Sequence, residues 1–428
     1  MVSKEKLKEI ILTNRDFILN QTGNIIKRED IRFPDRVNKV KILYGVRRSG
    51  KTFILYDLFR NYKDKALYID FEDERLSNFE PNDFEVLIDA FLELYPQLFN
   101  TRKIFLLDEI QNIIGWEKFC RRIVEKENID VFVAGSSSQI MPQEIHTSLR
   151  GRAWSIEITP FNFREYLQTK NIEIDKKFIY GHKKIFIKKH FSDYLKWGGF
   201  PEIIFARNEF EKTKILKEYL GSIFFKDLVE RFKINNIHLL DILMDTVFSH
   251  FSQKISLTSF YKQYKDRLPF SKDSLFNYYK YFLQSMLISE VRKFAESIYK
   301  RMRNPAKIYL VDVGFAKRIS SQDLGRLLEN VVFLELRRKT DKIFYFGENK
   351  ECDFVTMKNG KFLVYQVCYE LSEENEEREL GGLISCCKQL GLGKGLILTF
   401  DQEKELNKDG IKIQILPTWK WLVAKGEV

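Results

Sequence analysis

A glycine-rich turn near the N-terminus constrains the fold of this chain more than any other feature. The run "KVKILYGVRRSGKTFILYDLF" is apolar up to Gly45 and resumes with helical spacing after Gly50, Lys51 and Thr52. Glycines let backbone amides approach an anion, and the start of a helix adds N–H groups and a favourable dipole. The pattern Gly-x-x-x-x-Gly-Lys-Thr between a strand and a helix therefore predicts a phosphate-binding P-loop.

The P-loop is expected to bind ATP or ADP. Lys51 should reach the β- and γ-phosphates of ATP, and the Thr52 hydroxyl should hold Mg²⁺. The predicted nucleotide-binding residues are Gly45, Val46, Arg47, Arg48, Ser49, Gly50, Lys51, Thr52 and Phe53.

Two acidic residues end a second apolar segment, "KIFLLDEIQ". Carboxylates at the tip of a parallel strand lie at the sheet edge where ligands bind. We expect Asp108 to support Mg²⁺ and Glu109 to act as the base that activates the attacking water.

Further residues are candidates for the catalytic site. Ser136 or Ser137, in "AGSSS", could sense the γ-phosphate, although serines after a strand are also ordinary turn residues. Arg150 and Arg152, in "SLRGRAW", could stabilise charge on the transferred phosphoryl group, within the chain or across a subunit boundary. The alternative for both arginines is an ordinary surface position.

Strand-like and helix-like segments alternate for some 120 residues around these motifs. Such alternation predicts a parallel sheet with helices on both faces. A strand pattern, "KALYIDFED", lies between the P-loop and the acidic strand. Together these features predict an α/β P-loop NTPase fold with the extra strand of the branch that uses a glutamate for hydrolysis.

The chain changes character after Pro160. Residues 163–235 read as mostly helical, and three helices and two extended segments follow. Ser256 and Ser271 are predicted N-caps of the second and third helices. This order resembles a winged helix-turn-helix, in which Lys272 and Lys280 could meet DNA phosphates. A basic turn would form the wing, with Arg292, Lys293, Lys300, Arg301, Arg303 and Lys307. The alternative is a helical packing domain with a solvated basic face.

Composition limits the partners and the compartment. The formal net charge of +11 weakly favours polyanionic partners. The sequence contains five cysteines without paired spacing, which argues against disulfides and structural zinc. A charged N-terminal segment and the lack of long apolar runs predict a cytoplasmic protein with no membrane span.

The motifs "GVRRSGKT", "LLDEIQ", "GSSS", "LRGR…PFNFREYL" and "GGFPE" resemble those of AAA+-type ATPases in a large archaeal and bacterial ATP-binding family. The resemblance spans about residues 25–425. It implies an ATPase domain over 1–160, a helical connector over 161–235, a winged helix-turn-helix over 236–320 and a domain similar to PD-(D/E)XK nucleases, with an α/β restriction-endonuclease-like fold, over 321–428.

The nuclease-like motif is degenerate. Such nucleases place carboxylates around Mg²⁺ and a lysine beside the attacking water. Glu329 and Asp353 could be two of the carboxylates, but Gln366 and Cys368 stand where an acid and the lysine are expected. We therefore expect the domain to be inactive, with Lys361 as the alternative source of the ammonium group.

These features together predict a Mg²⁺-dependent ATPase that acts on DNA or is regulated by it. Two alternatives remain: a nucleotide-gated regulatory or protein-binding module with little turnover, and an ATP-dependent nuclease. ATP and ADP are the expected ligands, DNA is a candidate partner, and self-association is a candidate assembly.

Overall fold

The structure is a computed structural model, and it separates the chain into two units. It describes residues 2–424 except for 22, 24, 30, 35–36, 136–139, 141–144, 146, 175–182, 296, 298–300, 302–303, 320–322 and 348–349. The first unit is Met1–Thr159 and the second is Pro160–Val428. The division of the second unit into a connector, a winged helix-turn-helix and a nuclease-like domain stays a prediction.

The first unit is built on a parallel sheet. Its strands are β1 (Val40–Tyr44), β2 (Ala66–Asp70), β3 (Lys103–Asp108), β4 (Ile129–Ala134) and β5 (Ala153–Glu157). The longer helices are α1 (Lys4–Asn20), α2 (Lys51–Tyr62), α3 (Asp83–Leu94) and α4 (Trp116–Lys126). The strand order is β2-β3-β4-β1-β5, and every pairing is parallel. The predicted P-loop NTPase sheet is confirmed.

Apolar side chains cover both faces of this sheet, as a parallel sheet requires. On one face, α1, α3 and α4 pack on residues such as Ile42, Leu67 and Phe105. On the other, α2 packs on residues such as Leu43 and Ile104. Strand β2 lies between the two motifs in the sequence but at the edge of the sheet. Strand β4 is the one that separates the P-loop strand β1 from the acidic strand β3.

The second unit is a mixed α/β structure. Its helices are α5 (Phe163–Thr169), α6 (Lys183–Trp197), α7 (Pro201–Phe205), α8 (Glu209–Ser222), α9 (Ile237–Ser249), α10 (Leu257–Tyr264), α11 (Lys272–Gln284), α12 (Leu324–Arg337), α13 (Glu376–Gln389) and α14 (Thr418–Val423). A π-helical segment, Ile223–Glu230, continues α8.

A nine-stranded sheet runs through the second unit in the order β13-β14-β12-β11-β10-β9-β7-β8-β6. Its strands are β6 (Gln253–Lys254), β7 (Ile288–Lys293), β8 (Lys307–Leu310), β9 (Ile343–Phe346), β10 (Cys352–Lys358), β11 (Lys361–Val367), β12 (Lys394–Thr399), β13 (Lys404–Lys408) and β14 (Ile411–Pro417). The sequence analysis did not predict β6, β13, β14 and α14. Strand β6 has only two residues and β13 is mostly charged, but Ile411, Ile413 and Ile415 of β14 alternate as a strand signal that could have been recognised.

The predicted winged-helix segment has three helices and three strands in the order α9-β6-α10-α11-β7-β8. The side chains of Ser256 and Ser271 cap α10 and α11 by accepting from the amides of Ser259 and Ser274. Strand β7 also pairs in parallel with β9. The small sheet of this segment is therefore continuous with the C-terminal sheet.

Two motifs of the resemblance have structural roles in the second unit. In "PFNFREYL", Asn162 and Glu165 form a reciprocal capping box at the start of α5. Buried Arg164 donates to Glu335 Oε1 at 3.1 Å and to a backbone carbonyl at 2.6 Å. In "GGFPE", a side chain on Gly199 would overlap the carbonyl of Phe161, so glycine permits this close backbone approach.

Within the part of the chain that the structure describes, none of the helices combines the length and the apolar character needed to cross a membrane.

Candidate functional site

The P-loop joins the carboxyl end of β1 to the start of α2. Gly45 and Gly50 have φ values of 152° and 97°, and Arg48 has a φ of 65°. A side chain on Gly45 would overlap the backbone of Ile158, which follows β5. The turn therefore needs glycine both for its backbone angles and for its packing.

The side chain of Lys51 lies inside the turn that the P-loop forms. Its ammonium donates to the carbonyl oxygens of Gly45 and Val46, at 3.0 Å each. Val46 and Ser49 are buried, Arg47 is half-buried, and Arg48 and Phe53 are exposed. The predicted nucleotide-binding residues thus form one continuous loop, with the buried cation at its centre.

Arg28 was not predicted and contacts this loop from the segment before β1. Its guanidinium donates to the carbonyl of Ser49 at 3.1 Å and to the carbonyl of Thr159 at 2.7 Å. It therefore ties the P-loop to the end of the chain segment that leaves β5. No motif surrounds Arg28, and only the path of the chain brings it to the turn.

The P-loop and the acidic strand meet at Thr52 and Asp108. Asp108 is buried, and burial raises the pKa of its carboxyl group to about 7, while the charge of Glu109 adds to the rise. The neighbouring hydroxyl of Thr52 acts to lower this pKa. The hydroxyl of Tyr68, on β2, donates to Asp108 Oδ2 at 3.2 Å. The two residues that the sequence predicts as ligands of Mg²⁺ thus lie close together, and their role in holding it stays a prediction.

Three carboxyl groups collect at this edge of the sheet. Asp70 and Asp108 are register partners at the ends of β2 and β3. Burial raises the pKa of Asp70, and the charge of Glu109 contributes to it. Glu109 follows with a φ of 46°, and its carboxylate accepts a hydrogen bond from the side-chain amide of Gln111. The left-handed turn at Glu109 directs the chain away from the strand at the predicted position of the base.

The oxygen-bearing side chains at the carboxyl ends of the strands suit a Mg²⁺ ion that phosphate oxygens also coordinate. Among the described residues, no group of three or more His, Cys, Asp or Glu side chains has the arrangement of a metal site. Mg²⁺ in nucleotide sites relies on one or two protein groups and on phosphate oxygens. The hydroxyl of Thr52 and the carboxylate of Asp108 are the groups that could hold it.

The two candidate arginines lie just before β5, near the amino ends of the strands, whereas the P-loop and the acids lie at the carboxyl ends. The carbonyl of Arg152 accepts from the amide of Val40, where β1 begins, and the P-loop follows the far end of that strand. At about 3.3 Å per residue, roughly 15 Å separates these two ends. The guanidinium of Arg152 pairs with Glu125 at 2.7 Å, and Arg150 is exposed. The contacts of Arg152 thus lie away from the P-loop, and a catalytic role for either arginine, within its own chain or across a subunit boundary, stays a prediction. Ser136 and Ser137 lie outside the described residues.

The C-terminal cluster forms around a lysine that sequence reasoning assigned to a basic wing. Lys307 is buried on β8, and its ammonium lies 2.8 Å from Asp353 Oδ1, 3.1 Å from Glu329 Oε1 and 2.8 Å from Glu351 Oε1. Burial lowers the pKa of Lys307, but the charges of Asp353 and Glu329 outweigh this effect and raise it. Burial also raises the pKa of Glu329, which accepts a hydrogen bond from Tyr309.

Gln366 lies on β11 and Cys368 follows that strand. Within the part of the chain that the structure describes, neither side chain is hydrogen-bonded to the ammonium of Lys307. Gln366 accepts from the amide of Asp353 at 3.2 Å and donates to buried Glu379 at 2.5 Å. Burial raises the pKa of the Cys368 thiol to about 12, so it remains protonated. Lys361 is exposed at the start of β11. Lys307, and not Lys361, is the lysine that contacts Asp353 and Glu329, and the alternative that Lys361 supplies an ammonium group stays a prediction. Lys300 and Arg303 of the predicted wing lie outside the described residues.

Comparison with known proteins extends these observations. Residues 37–167 match a family model described as an AAA domain, and residues 188–324 match one described as a domain of unknown function, DUF8612. The uncharacterised protein MJ1544 of Methanocaldococcus jannaschii is 37% identical over 439 residues, covering 98% of this chain and 96% of its own. An uncharacterised protein of Haemophilus influenzae is 27% identical and covers 91% of this chain and 96% of its own.

Solved structures show more distant similarity. The Walker-type ATPase PABY2304 of Pyrococcus abyssi is 16% identical, with a TM-score of 0.42, over 71% of this chain and 100% of that chain. The ORC2 protein of Aeropyrum pernix, in its ADPNP–ADP complexes, is 13% identical, with a TM-score of 0.35, over 79% of this chain and 94% of that chain. Sharing 37% identity over nearly its whole length, the chain belongs to the same protein family as MJ1544, with an AAA domain built on a P-loop NTPase sheet.

Proposed function

We propose that this protein binds ATP with Mg²⁺ and hydrolyses it to ADP and phosphate. The observation that carries the proposal is the proximity of Thr52, in the first turn of α2, to the buried carboxyl group of Asp108, at the end of β3. A fortuitous glycine–lysine turn has no reason to place its threonine on a buried acid at the neighbouring strand end. The position of Glu109, next to Asp108, adds a base at the same edge.

Different groups at this site have different roles in binding and hydrolysing ATP. The ammonium of Lys51 and the amides at the start of α2 supply positive charge for the β- and γ-phosphates. When bound, Mg²⁺ neutralises charge that develops on the phosphate oxygens. Glu109 accepts a proton from the attacking water, and the amide of Gln111 holds the carboxylate of Glu109 in place.

Phosphate release tests the assignment of Glu109. Wild-type protein with ATP and Mg²⁺ should release phosphate, and Glu109→Gln should lower the rate by about 100-fold or more while ADP binding persists. Glu5→Gln, at an exposed site on α1, is the matched control and should leave the rate unchanged. Equal rates in the wild type and in Glu109→Gln would remove Glu109 from this role.

A nucleotide-gated module with little turnover is the alternative. It predicts ADP and ATP binding with phosphate release by both the wild type and Glu109→Gln at the background measured without protein, whereas an ATPase that does not use Glu109 gives equal rates well above that background. The same pair of proteins therefore separates the two functions.

We further propose that the segment from α9 to β8 contacts DNA. Support comes from the order of its helices and strands and from the exposed lysines Lys272 and Lys280 on α11. Contacts to phosphates weaken as salt rises, and each lost contact lowers the slope of log affinity against log salt by about 1. Lys280→Ala should show this change on a labelled duplex, whereas Lys214→Ala, at an exposed site on α8, should not. No binding at low salt would end the DNA proposal.

The cluster around Lys307 is proposed to be structural. The internal ammonium of Lys307 already contacts the carboxyl groups of Glu329 and Asp353. DNA cleavage that requires Mg²⁺ or Mn²⁺ and disappears in Asp353→Ala would contradict this assignment.

A further inference from the structure

Tyr68 contacts the acidic strand from the neighbouring strand β2. Tyr68 is the register partner of Leu106, which places it diagonally opposite Asp108 on the same face of the sheet. Its side chain is 4% exposed, and its hydroxyl lies 3.2 Å from Asp108 Oδ2. A buried phenol needs a partner for its O–H group, and a carboxylate can only accept. Tyr68 therefore donates to Asp108.

A second tyrosine supports this contact from α2. The ring of Tyr56 packs on the ring of Tyr68 in an edge-on arrangement, with ring centroids 5.2 Å apart. The α2 helix that follows the P-loop thus holds the ring of Tyr68 from the side, while the hydroxyl of Tyr68 reaches Asp108.

The two oxygens of Asp108 are consequently held by different groups. Oδ2 accepts from Tyr68, and Oδ1 accepts from the amide of Glu109 at 3.1 Å. Two contacts on opposite oxygens fix the plane of a carboxylate, whereas one contact leaves it free to rotate. The hydroxyl of Tyr68 thus helps to set the orientation of the Asp108 carboxylate relative to Thr52.

We propose that Tyr68 is a positioning residue of the nucleotide site, which orients the carboxylate of Asp108 for Mg²⁺ carried by the nucleotide. This inference rests on the proposed function. Groups that orient a metal ligand do not touch the metal, but replacing them typically lowers metal affinity or activity by roughly 10- to 100-fold. Loss of the hydroxyl should therefore weaken the response to Mg²⁺ and spare the contacts of the P-loop with phosphate.

Calorimetry with ADP, in EDTA and in Mg²⁺, measures this response directly. In the wild type, Mg²⁺ should increase the affinity for ADP. In Tyr68→Phe, this Mg²⁺-dependent gain should fall by about 10-fold or more, while the affinity in EDTA stays unchanged. Tyr279→Phe is the matched control, since it also removes a tyrosine hydroxyl that donates to a carboxylate, Glu290, at 2.9 Å in the second unit. It should keep the full gain.

A double variant shows whether Tyr68 acts through Asp108. Once Asp108 is replaced by Asn, the further change Tyr68→Phe should have no additional effect on the Mg²⁺ response, because the two residues act as one unit.

The outcomes for the two proposals differ. A full Mg²⁺-dependent gain in Tyr68→Phe would overturn the positioning role and leave the ATPase proposal standing. A wild type that binds no ADP, or binds it equally with and without Mg²⁺, would overturn both.

Discussion

The ammonium of Lys307 lies 2.8 Å from Oδ1 of Asp353, so a strand predicted as part of a basic wing supplies the counter-ion of a buried carboxylate. The pair joins β8 to β10, which are not neighbours in the sheet order. Glu329, on α12, contacts the same ammonium. One side chain therefore links three elements of the second unit.

Removing that ammonium should destabilise the protein. Lys307→Met leaves buried Glu329 and Asp353 without their cation, and breaking a buried ion pair costs about 3–5 kcal/mol. We expect this loss in the free energy of unfolding measured with urea. Lys361→Met, at an exposed position, is the control and should change stability by less than about 0.5 kcal/mol. Equal stability of the two variants would show that the cluster does not hold these elements together.

Replacing the P-loop lysine should weaken nucleotide binding. Lys51→Ala removes a charged donor worth about 1.5–3 kcal/mol, which corresponds to a loss of roughly 10- to 100-fold in ADP affinity by calorimetry. Lys103→Ala is the matched control, because Lys103 is also a buried lysine that donates to backbone carbonyls, but at the start of β3. Its ADP affinity should match that of the wild type, and an equal loss in both variants would contradict a specific role for Lys51.

A methyl group at the first glycine of the P-loop should be poorly tolerated. Gly45→Ala places a Cβ on the carbonyl of Ile158 and strains a φ of 152°. We expect a loss of about 1–3 kcal/mol in stability, measured by urea unfolding, together with weaker ADP binding. Gly221→Ala, in α8 with open space around it, should instead be neutral or stabilising by up to about 1 kcal/mol. A neutral Gly45→Ala would mean that the turn can move away from Ile158.

The stability of the protein should depend on pH through Asp312. This buried carboxyl accepts from the amides of Gly199 and Gly314, at 2.7 and 2.8 Å. Burial raises its pKa to about 7, although these two hydrogen bonds oppose the rise. Since the unfolded carboxyl titrates near pH 4, the folded state holds the proton over a wider range. Its contribution to stability is therefore full below about pH 4 and is lost as the pH rises through 7.

Unfolding of the wild type and of Asp312→Asn across this pH range isolates the effect. Relative to Asp312→Asn, which cannot titrate, the wild type should lose on the order of 4 kcal/mol between pH 4 and pH 8. Other titrating groups affect both proteins equally. Parallel pH profiles of the two proteins would show that Asp312 does not carry the raised pKa.

The sequence by itself determined the first unit and its main chemical groups. The strand and helix patterns, the turn from Gly45 to Thr52 and the acids after β3 are local features, set by periodicity and by backbone requirements. Because carboxyl ends of parallel strands share one edge, those patterns also placed Thr52 and Asp108 at the same site.

Only the tertiary structure decided which distant side chains complete the sites. Tyr68 reaches Asp108 through the register of two strands, and Arg28 reaches the P-loop through an irregular segment. Lys307 turns inward onto carboxylates instead of outward to solvent, and Arg152 lies near the amino ends of the strands. These relationships depend on strand order, register and burial, which arise from contacts between residues far apart in the chain, and local sequence patterns carry no record of them.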